Sequence, residues 1–263
     1  MSEVLRVERT GAVARVTLAR PEVRNAFNAK LIAALRDAFQ RLSVEPSDTL
    51  RAVVLAGDGK AFCAGADIAW QRAAKSLSVA ENEADAAHLQ EMLAAIDECS
   101  VPVVAAVHGA ALGGGMALCC VADITLATAD ATFGFTEVKL GLIPAVISPF
   151  VLPRIGEGAA RALYLSGERF GSDRALRIGL VSEVVPDKPS LHARVEAILA
   201  EVLSAGPEAA RNAKSMIREQ RGLSRGDALE RTVGWAARQR VSPEGQEGLS
   251  AFLEKRPPSW HQG

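Results

Sequence analysis

Short apolar runs and stretches of helical spacing alternate along the first two thirds of this chain. Val4 to Val7 and Ala12 to Leu18 have β-type patterning and meet at Gly11, which predicts a hairpin. After Arg20-Pro21 the period changes: Leu31, Ala34, Leu35, Ala38, Phe39 and Leu42 recur at helical spacing, with Asn28 placed as the N-cap. Ala52 to Ala56 reads as a buried strand ending at Gly57-Asp58-Gly59, and a polar, alanine-rich helix is predicted over Val79 to Glu98. Pro102 opens a second buried strand, Val103 to Val107, followed by glycine-rich sequence and a helix; Ile124 to Leu126 is a further strand. Strands that alternate with helices in this way predict parallel βα units. From Gly156 onward the pattern is mostly helical: Ala159 to Leu165, Asp173 to Ile178, then three or four longer segments to Lys255. The division expected is an α/β core over 1–195 and a C-terminal helical region over 196–263. Such an appendage packs on a neighbouring subunit, so a homo-oligomer is expected.

Composition narrows the class. The 263 residues are 49% hydrophobic and 23% charged, which excludes disorder and collagen-like structure. Lys and Arg total 30 against 31 acidic residues, for a net charge of -1, without the basic excess of a dedicated nucleic-acid binder. Cys63, Cys99, Cys119 and Cys120 form no C-x-x-C pair and read as small buried hydrophobes in a reducing compartment. The opening segment MSEVLRVERTG carries no apolar signal core, and the most apolar stretch, Val101 to Ala122, holds a proline, His108 and four glycines. A soluble cytoplasmic protein is expected.

Several chemistries are excluded by what is missing. The sequence has no H-E-x-x-H, and its four histidines have no zinc-like spacing. No G-x-S-x-G elbow occurs. Val54 stands where a phosphate-binding loop before Gly59-Lys60 would need glycine, and Leu118 breaks a dinucleotide fingerprint after Gly113-Gly114-Gly115. His108, beside an apolar strand, reads as a hydrogen-bonded structural histidine.

Two glycine-containing turns follow predicted strands: Phe62-Cys63-Ala64-Gly65-Ala66-Asp67 and the segment from Gly109 to Gly115. Glycine at such a turn lets a ligand approach the backbone, and the amides that open the next helix receive an anion. Either turn alone is ordinary tight packing of strand on helix. Side by side, with a carboxylate nearby, the two form a pair of oxyanion donors.

The chain resembles the crotonase superfamily, the enoyl-CoA hydratases and isomerases, over nearly its whole length. The matching elements, in order, begin with Arg20-Pro21, Asn25-Ala26-Phe27-Asn28 and Phe62 to Asp67. His108 to Gly115, Asp123-Ile124, Phe133 to Glu137, Gly141-Leu142-Ile143-Pro144 and Ala251 to Arg256 follow. The resemblance implies an α/β spiral of ββα units with a C-terminal helical trimerisation region, a trimer or a dimer of trimers. It also implies an acyl-CoA thioester as substrate, with no metal or redox cofactor. By motif position, the amides of Ala66 and Gly114 hold the thioester oxygen. Arg24, Ala26, Ala64, Asp67 and Ile68 contact the CoA portion, with Phe252 and Lys255 of a neighbouring subunit. Glu137, among the apolar residues Phe133, Phe135, Val138 and Leu140, is the carboxylate that moves protons at the acyl carbons.

One departure bears on the reaction. Typical hydratases carry a second glutamate two residues after the glycine run, where this chain has Ala117. Two enzyme readings follow. In one, Glu137 alone orients water and protonates C2. In the other, Glu137 shuttles a proton between C2 and C4 as a Δ3,Δ2-enoyl-CoA isomerase. The run Glu137 to Phe150 is similar to bacterial methylglutaconyl-CoA hydratases of leucine breakdown, and departs from the glycine-rich continuation of straight-chain hydratases. The favoured expectation is hydration of a branched enoyl-CoA, carboxylated ones such as 3-methylglutaconyl-CoA included. From another class comes an RNA-binding reading: Arg211, Lys214, Arg218, Arg221 and Arg225 form a basic stripe at helical spacing. Stacking aromatics are missing from it, which favours a solvated or intersubunit face, or a site near the CoA phosphates.

Overall fold

A computed structural model describes residues 4–261; the first three residues of the segment read for a leader lie outside them. The hairpin forms as β1 (Leu5–Thr10) and β2 (Val13–Leu18), antiparallel. Helix α1 (Ala29–Ser43) follows, and the Asn28 side chain accepts a hydrogen bond from the Leu31 amide at 2.9 Å. Then come β3 (Ala52–Gly57), α2 (Ile68–Ala73), α3 (Val79–Asp97), β4 (Val103–Val107), β5 (Ala110–Leu112), α4 (Gly114–Val121), β6 (Ile124–Thr128) and β7 (Thr132–Gly134). The remainder is α5 (Ser148–Ser166), β8 (Phe170–Gly171), α6 (Ser172–Arg177), β9 (Glu183–Val185), α7 (Lys188–Ser204), α8 (Pro207–Glu219), α9 (Arg225–Val241) and α10 (Pro243–Glu254).

The larger sheet has the order β1-β2-β3-β4-β6-β9, and every pair after the hairpin is parallel. Parallel strands covered on both faces need apolar residues on both, hence the unbroken runs of β3 and β4. Alternate residues divide between two cores. Val53, Leu55, Val103 and Ala105 face α1, α3 and α4, whereas Ala52, Val54 and Val104 pack with Leu191, Val195 and Leu199 of α7. Residue 195, the division read from the sequence, falls inside α7.

A second sheet, β5-β7-β8, has strands of only two or three residues. Strands that short in glycine-rich sequence carry no periodicity, so the pattern of apolar positions does not reveal them. All four cysteines are buried free thiols, and His108 is buried with Nε2 3.1 Å from the Gly59 carbonyl.

Four of the five residues of the basic stripe are engaged within the chain, and Arg225, the first residue of α9, is exposed. Arg211 donates to the carbonyls of Glu45 and Leu50, and Lys214 to the Val101 carbonyl and the Asp123 carboxylate. Arg218 reaches the Glu98 carbonyl, and Arg221 pairs with Asp97 through both guanidinium ends. Cations at the C-terminal end of α3 satisfy its last carbonyls and its dipole. These four side chains dock α8 onto the core, which corrects the expectation that they form an open face for RNA, a partner or CoA phosphates.

Candidate active site

The two glycine turns run side by side. Phe62 N donates to His108 O at 2.9 Å, Cys63 N to Ala110 O at 3.0 Å, and Leu112 N to Cys63 O at 3.0 Å. No side chain fits between them: a Cβ on Gly65 would sit 2.7 Å from the Leu112 carbonyl oxygen, and one on Gly115 2.3 Å from that of Cys63. Gly65 also holds a φ of +91°, a backbone state that L-residues rarely adopt.

Phe27 locks the exit of the first turn. Its amide donates to Gly65 O at 2.7 Å and its carbonyl accepts from Asp67 N at 2.8 Å, which brackets Ala66. Its ring packs so close to Gly114 that a Cβ there would approach within 2.5 Å. Gly114 opens α4, where a first-turn amide has no partner within the helix. Among the described residues, the amides of Ala66 and Gly114 donate to no backbone acceptor, and both residues line one cavity of ≈ 330 Å³.

Glu137 stands in the same cavity, at the start of a single 3₁₀ turn (Glu137–Leu140) that follows β7. Its Oε1 faces the glycine run, 3.0 Å from where a Cβ on Gly113 would lie. Its Oε2 is buried without a hydrogen-bond partner. Burial raises the carboxyl pKa from its ordinary value, because the charged form loses water and gains no compensating cation. The rest of the lining is largely apolar: Phe27, Ile68, Trp70, Leu89 and the run Leu142 to Ile147, with Gln71 and Thr136 as neutral polar members.

Five of the residues expected from the sequence thus share the cavity: Ala64, Ala66, Ile68, Gly114 and Glu137. Arg24, Ala26 and Asp67 flank it without lining it. The Arg24 carbonyl accepts from the Ala64 amide at 2.9 Å, and Ala26 is buried. Asp67 caps α2 through the Ala69 amide and pairs with Arg20 at 3.0 Å, whose guanidinium lowers its pKa. Phe252, 82% exposed, and Lys255, which ends α10 in the left-handed conformation, lie outside the cavity lining of a single chain. Ala117 is wholly buried in the core and does not line the cavity.

Phe27 was legible only as a member of a motif, and its role in clamping Gly65 and Gly114 was not. Trp70 and Leu89 enter from α2 and α3, and no local signal marks which face of those helices meets the cavity.

Two apposed backbone donors and one buried carboxylate around a single cavity can stabilise an oxyanion and move a proton beside it. Residues 8–263 match the enoyl-CoA hydratase/isomerase family, and the chain belongs to it, with the crotonase fold. Among its relatives, a crotonyl-CoA hydratase of Syntrophomonas wolfei is 34% identical over 95% of both chains. The fold superimposes on a crystal structure of an enoyl-CoA hydratase from Shewanella pealeana with a TM-score of 0.92 at 35% identity, covering 98% of this chain and 96% of that one. AtuE of Pseudomonas aeruginosa gives 0.94 at 35% identity, covering 99% of this chain and all of the other.

Proposed function

We propose that the protein adds water to, or removes it from, a branched enoyl-CoA, with Glu137 as the one acid–base group. The observation that carries this reading is the orphaned, buried Glu137 oxygen in a cavity shared with the Ala66 and Gly114 amides. These amides receive the thioester oxygen as it gains enolate charge, each donor being worth roughly 3 kcal/mol in the transition state. Glu137 takes a proton from the water attacking C3 and passes it to C2. The neutral carboxyl formed midway is the state that burial favours.

The lining favours an uncharged branch over the carboxylated chain of 3-methylglutaconyl-CoA. Gln71 and Thr136 offer hydrogen bonds, but among the described lining residues no Lys or Arg faces a second anion. A distal carboxylate would then be buried beside Glu137 without a partner, a costly arrangement.

The second reading, Δ3,Δ2-enoyl-CoA isomerisation, is favoured by Ala117. With that position sunk in the core, Glu137 has no second acid to share a water. One base moving a proton from C2 to C4 suffices for a double-bond shift.

The CoA portion is assigned to Arg24, Ala26, Ala64, Asp67 and Ile68, with a neighbouring subunit's Phe252 and Lys255. CoA enters as part of the substrate, with no metal or redox cofactor. A homotrimer or dimer of trimers in the cytoplasm is proposed. In support, Leu229, Val233, Leu249, Phe252 and Leu253 expose apolar surface on α9 and α10, and among the described residues no helix is long and apolar enough to cross a membrane.

Mass spectrometry after incubation with crotonyl-CoA, 3-methylcrotonyl-CoA, 3-methylglutaconyl-CoA and a 3-enoyl-CoA tests the reading. A Glu137-dependent gain of one water, greatest on 3-methylcrotonyl-CoA, is expected. Double-bond movement without a mass change, seen as new conjugated-thioester absorbance, would establish the isomerase instead.

A further inference from the structure

The acyl-facing wall of the cavity, Pro144 to Ile147, runs directly into α5, and α5 is not one straight helix. At Gly156 the backbone takes φ 74° and ψ 159°, a region open essentially to glycine. Ser148 and Tyr164 lie sixteen positions apart, which in a straight helix would separate them by about 24 Å. Instead the Ser148 Oγ and the Tyr164 hydroxyl are 3.4 Å apart. The bend at Gly156 folds the second half of the helix back on the first and brings the two side chains together.

Their hydrogen bonds have a direction. Ser148 Oγ lies 2.6 Å from the Pro144 carbonyl oxygen, and a serine hydroxyl has one proton to give. The shorter contact takes it, so the Tyr164 O–H donates to Ser148, which donates to the wall. Tyr164 is anchored at its other end: its ring meets Phe135 edge-on at 4.7 Å, two positions before Glu137. Burial pushes its phenol up to about 12, with the Glu137 charge adding to the effect, so the hydroxyl stays a donor throughout the working pH range. Gly167, just after α5, packs separately against the turn that carries Glu137, since a Cβ there would lie 2.8 Å from Val138.

We propose that Tyr164 and Ser148 are specificity-determining positioning residues: the Tyr164–Ser148–Pro144 chain of hydrogen bonds holds the Pro144–Ile147 wall at the spacing that selects the acyl chain. This inference rests on the acyl-CoA reading of the cavity.

Tyr164→Phe removes the hydroxyl and keeps the ring on Phe135. Amide hydrogen exchange in the free protein is expected to quicken over residues 142–149. The kcat/KM ratio of branched to straight-chain enoyl-CoA is expected to fall about fivefold, mostly through KM, the size of effect one neutral hydrogen bond produces. Ser148→Ala reproduces both changes, and Ser148→Thr, which restores a hydroxyl, reverses them. Unchanged exchange over 142–149, or an unchanged branched-to-straight ratio in Tyr164→Phe, overturns the clamp. If the unaltered protein turned over no enoyl-CoA at all, the proposed function would fall, and the exchange arm would still decide whether the wall is clamped.

Discussion

The two sides of the cavity are built on opposite plans. On the donor side, the turns at Gly65 and Gly113–Gly115 are pressed together, and an added Cβ would meet a carbonyl at Gly65 or Gly115, the Phe27 ring at Gly114 or the Glu137 carboxylate at Gly113. Facing them, Glu137 sits on one 3₁₀ turn and continues into an apolar wall suspended from a bent helix. In the proposed reading, the donor side recognises what every thioester has in common, its carbonyl oxygen, and has no freedom to vary. The carboxylate side would then meet the acyl chain, where small changes alter which substrate fits and where the proton goes.

The largest effect is expected on the carboxylate side. Glu137→Gln should lower kcat by roughly 10²–10⁴-fold, the usual weight of a positioned acid–base group, while circular dichroism stays native. The same substitution should stabilise the fold at neutral pH. Burial raises the native pKa of Glu137 above its unfolded value, so the native state binds the proton more tightly. That stabilisation is complete at acid pH and is lost as pH climbs through the raised value. Glutamine keeps the neutral form at all pH, so its melting temperature should exceed the wild type's at pH 7 and match it near pH 4. In the unaltered enzyme, the acid limb of kcat/KM should have its midpoint above the ordinary value of a glutamate. A midpoint at or below that value would contradict the burial argument.

On the donor side, Gly65→Ala sharpens the contrast. It forces a Cβ toward Leu112 O at a φ of +91° and displaces the neighbouring Ala66 amide. A fall of roughly 10²-fold in kcat is expected, close to that for removing one oxyanion donor, with little change in the branched-to-straight ratio. A changed ratio would mean that the two sides do not divide the labour in this way.

Smaller effects belong outside the cavity. Lys214→Ala removes a charged hydrogen bond to Asp123 from the docking face of α8, and should cost about 1.5–3 kcal/mol in denaturant titration without altering kcat. Asn28→Ala removes the cap of α1 and should cost about 1 kcal/mol.

The same contrast explains what was legible in the sequence. Buried strands such as β3 and β4, and the amphipathic α1 with its Asn28 cap, follow from local pattern, because burial on a sheet or along one helix face imposes a period. The paired turns were legible for a related reason: glycine at fixed positions marks places where backbone meets backbone. The wall was not, since Pro144 to Ile147 has no period and takes its position from Tyr164, a partner distant in the chain that only the bend at Gly156 brings near. The basic stripe misled because helical spacing of charge indicates a face and not what covers it. Here the carbonyls of Glu45, Leu50, Glu98 and Val101, with Asp97 and Asp123, engage Arg211, Lys214, Arg218 and Arg221.

The most direct test of Glu137 as the single proton carrier is turnover in D₂O. Deuterium entering the acyl chain of an enoyl-CoA would be followed by mass spectrometry for the unaltered enzyme and for Glu137→Gln. The expected result is deuterium at C2 with one added water, lost in the variant; in the isomerase reading the substrate's own C2 proton travels to C4, so the double bond would shift with little deuterium gained, and that shift would be lost in the variant. Deuterium incorporation at an undiminished rate in Glu137→Gln would contradict the account.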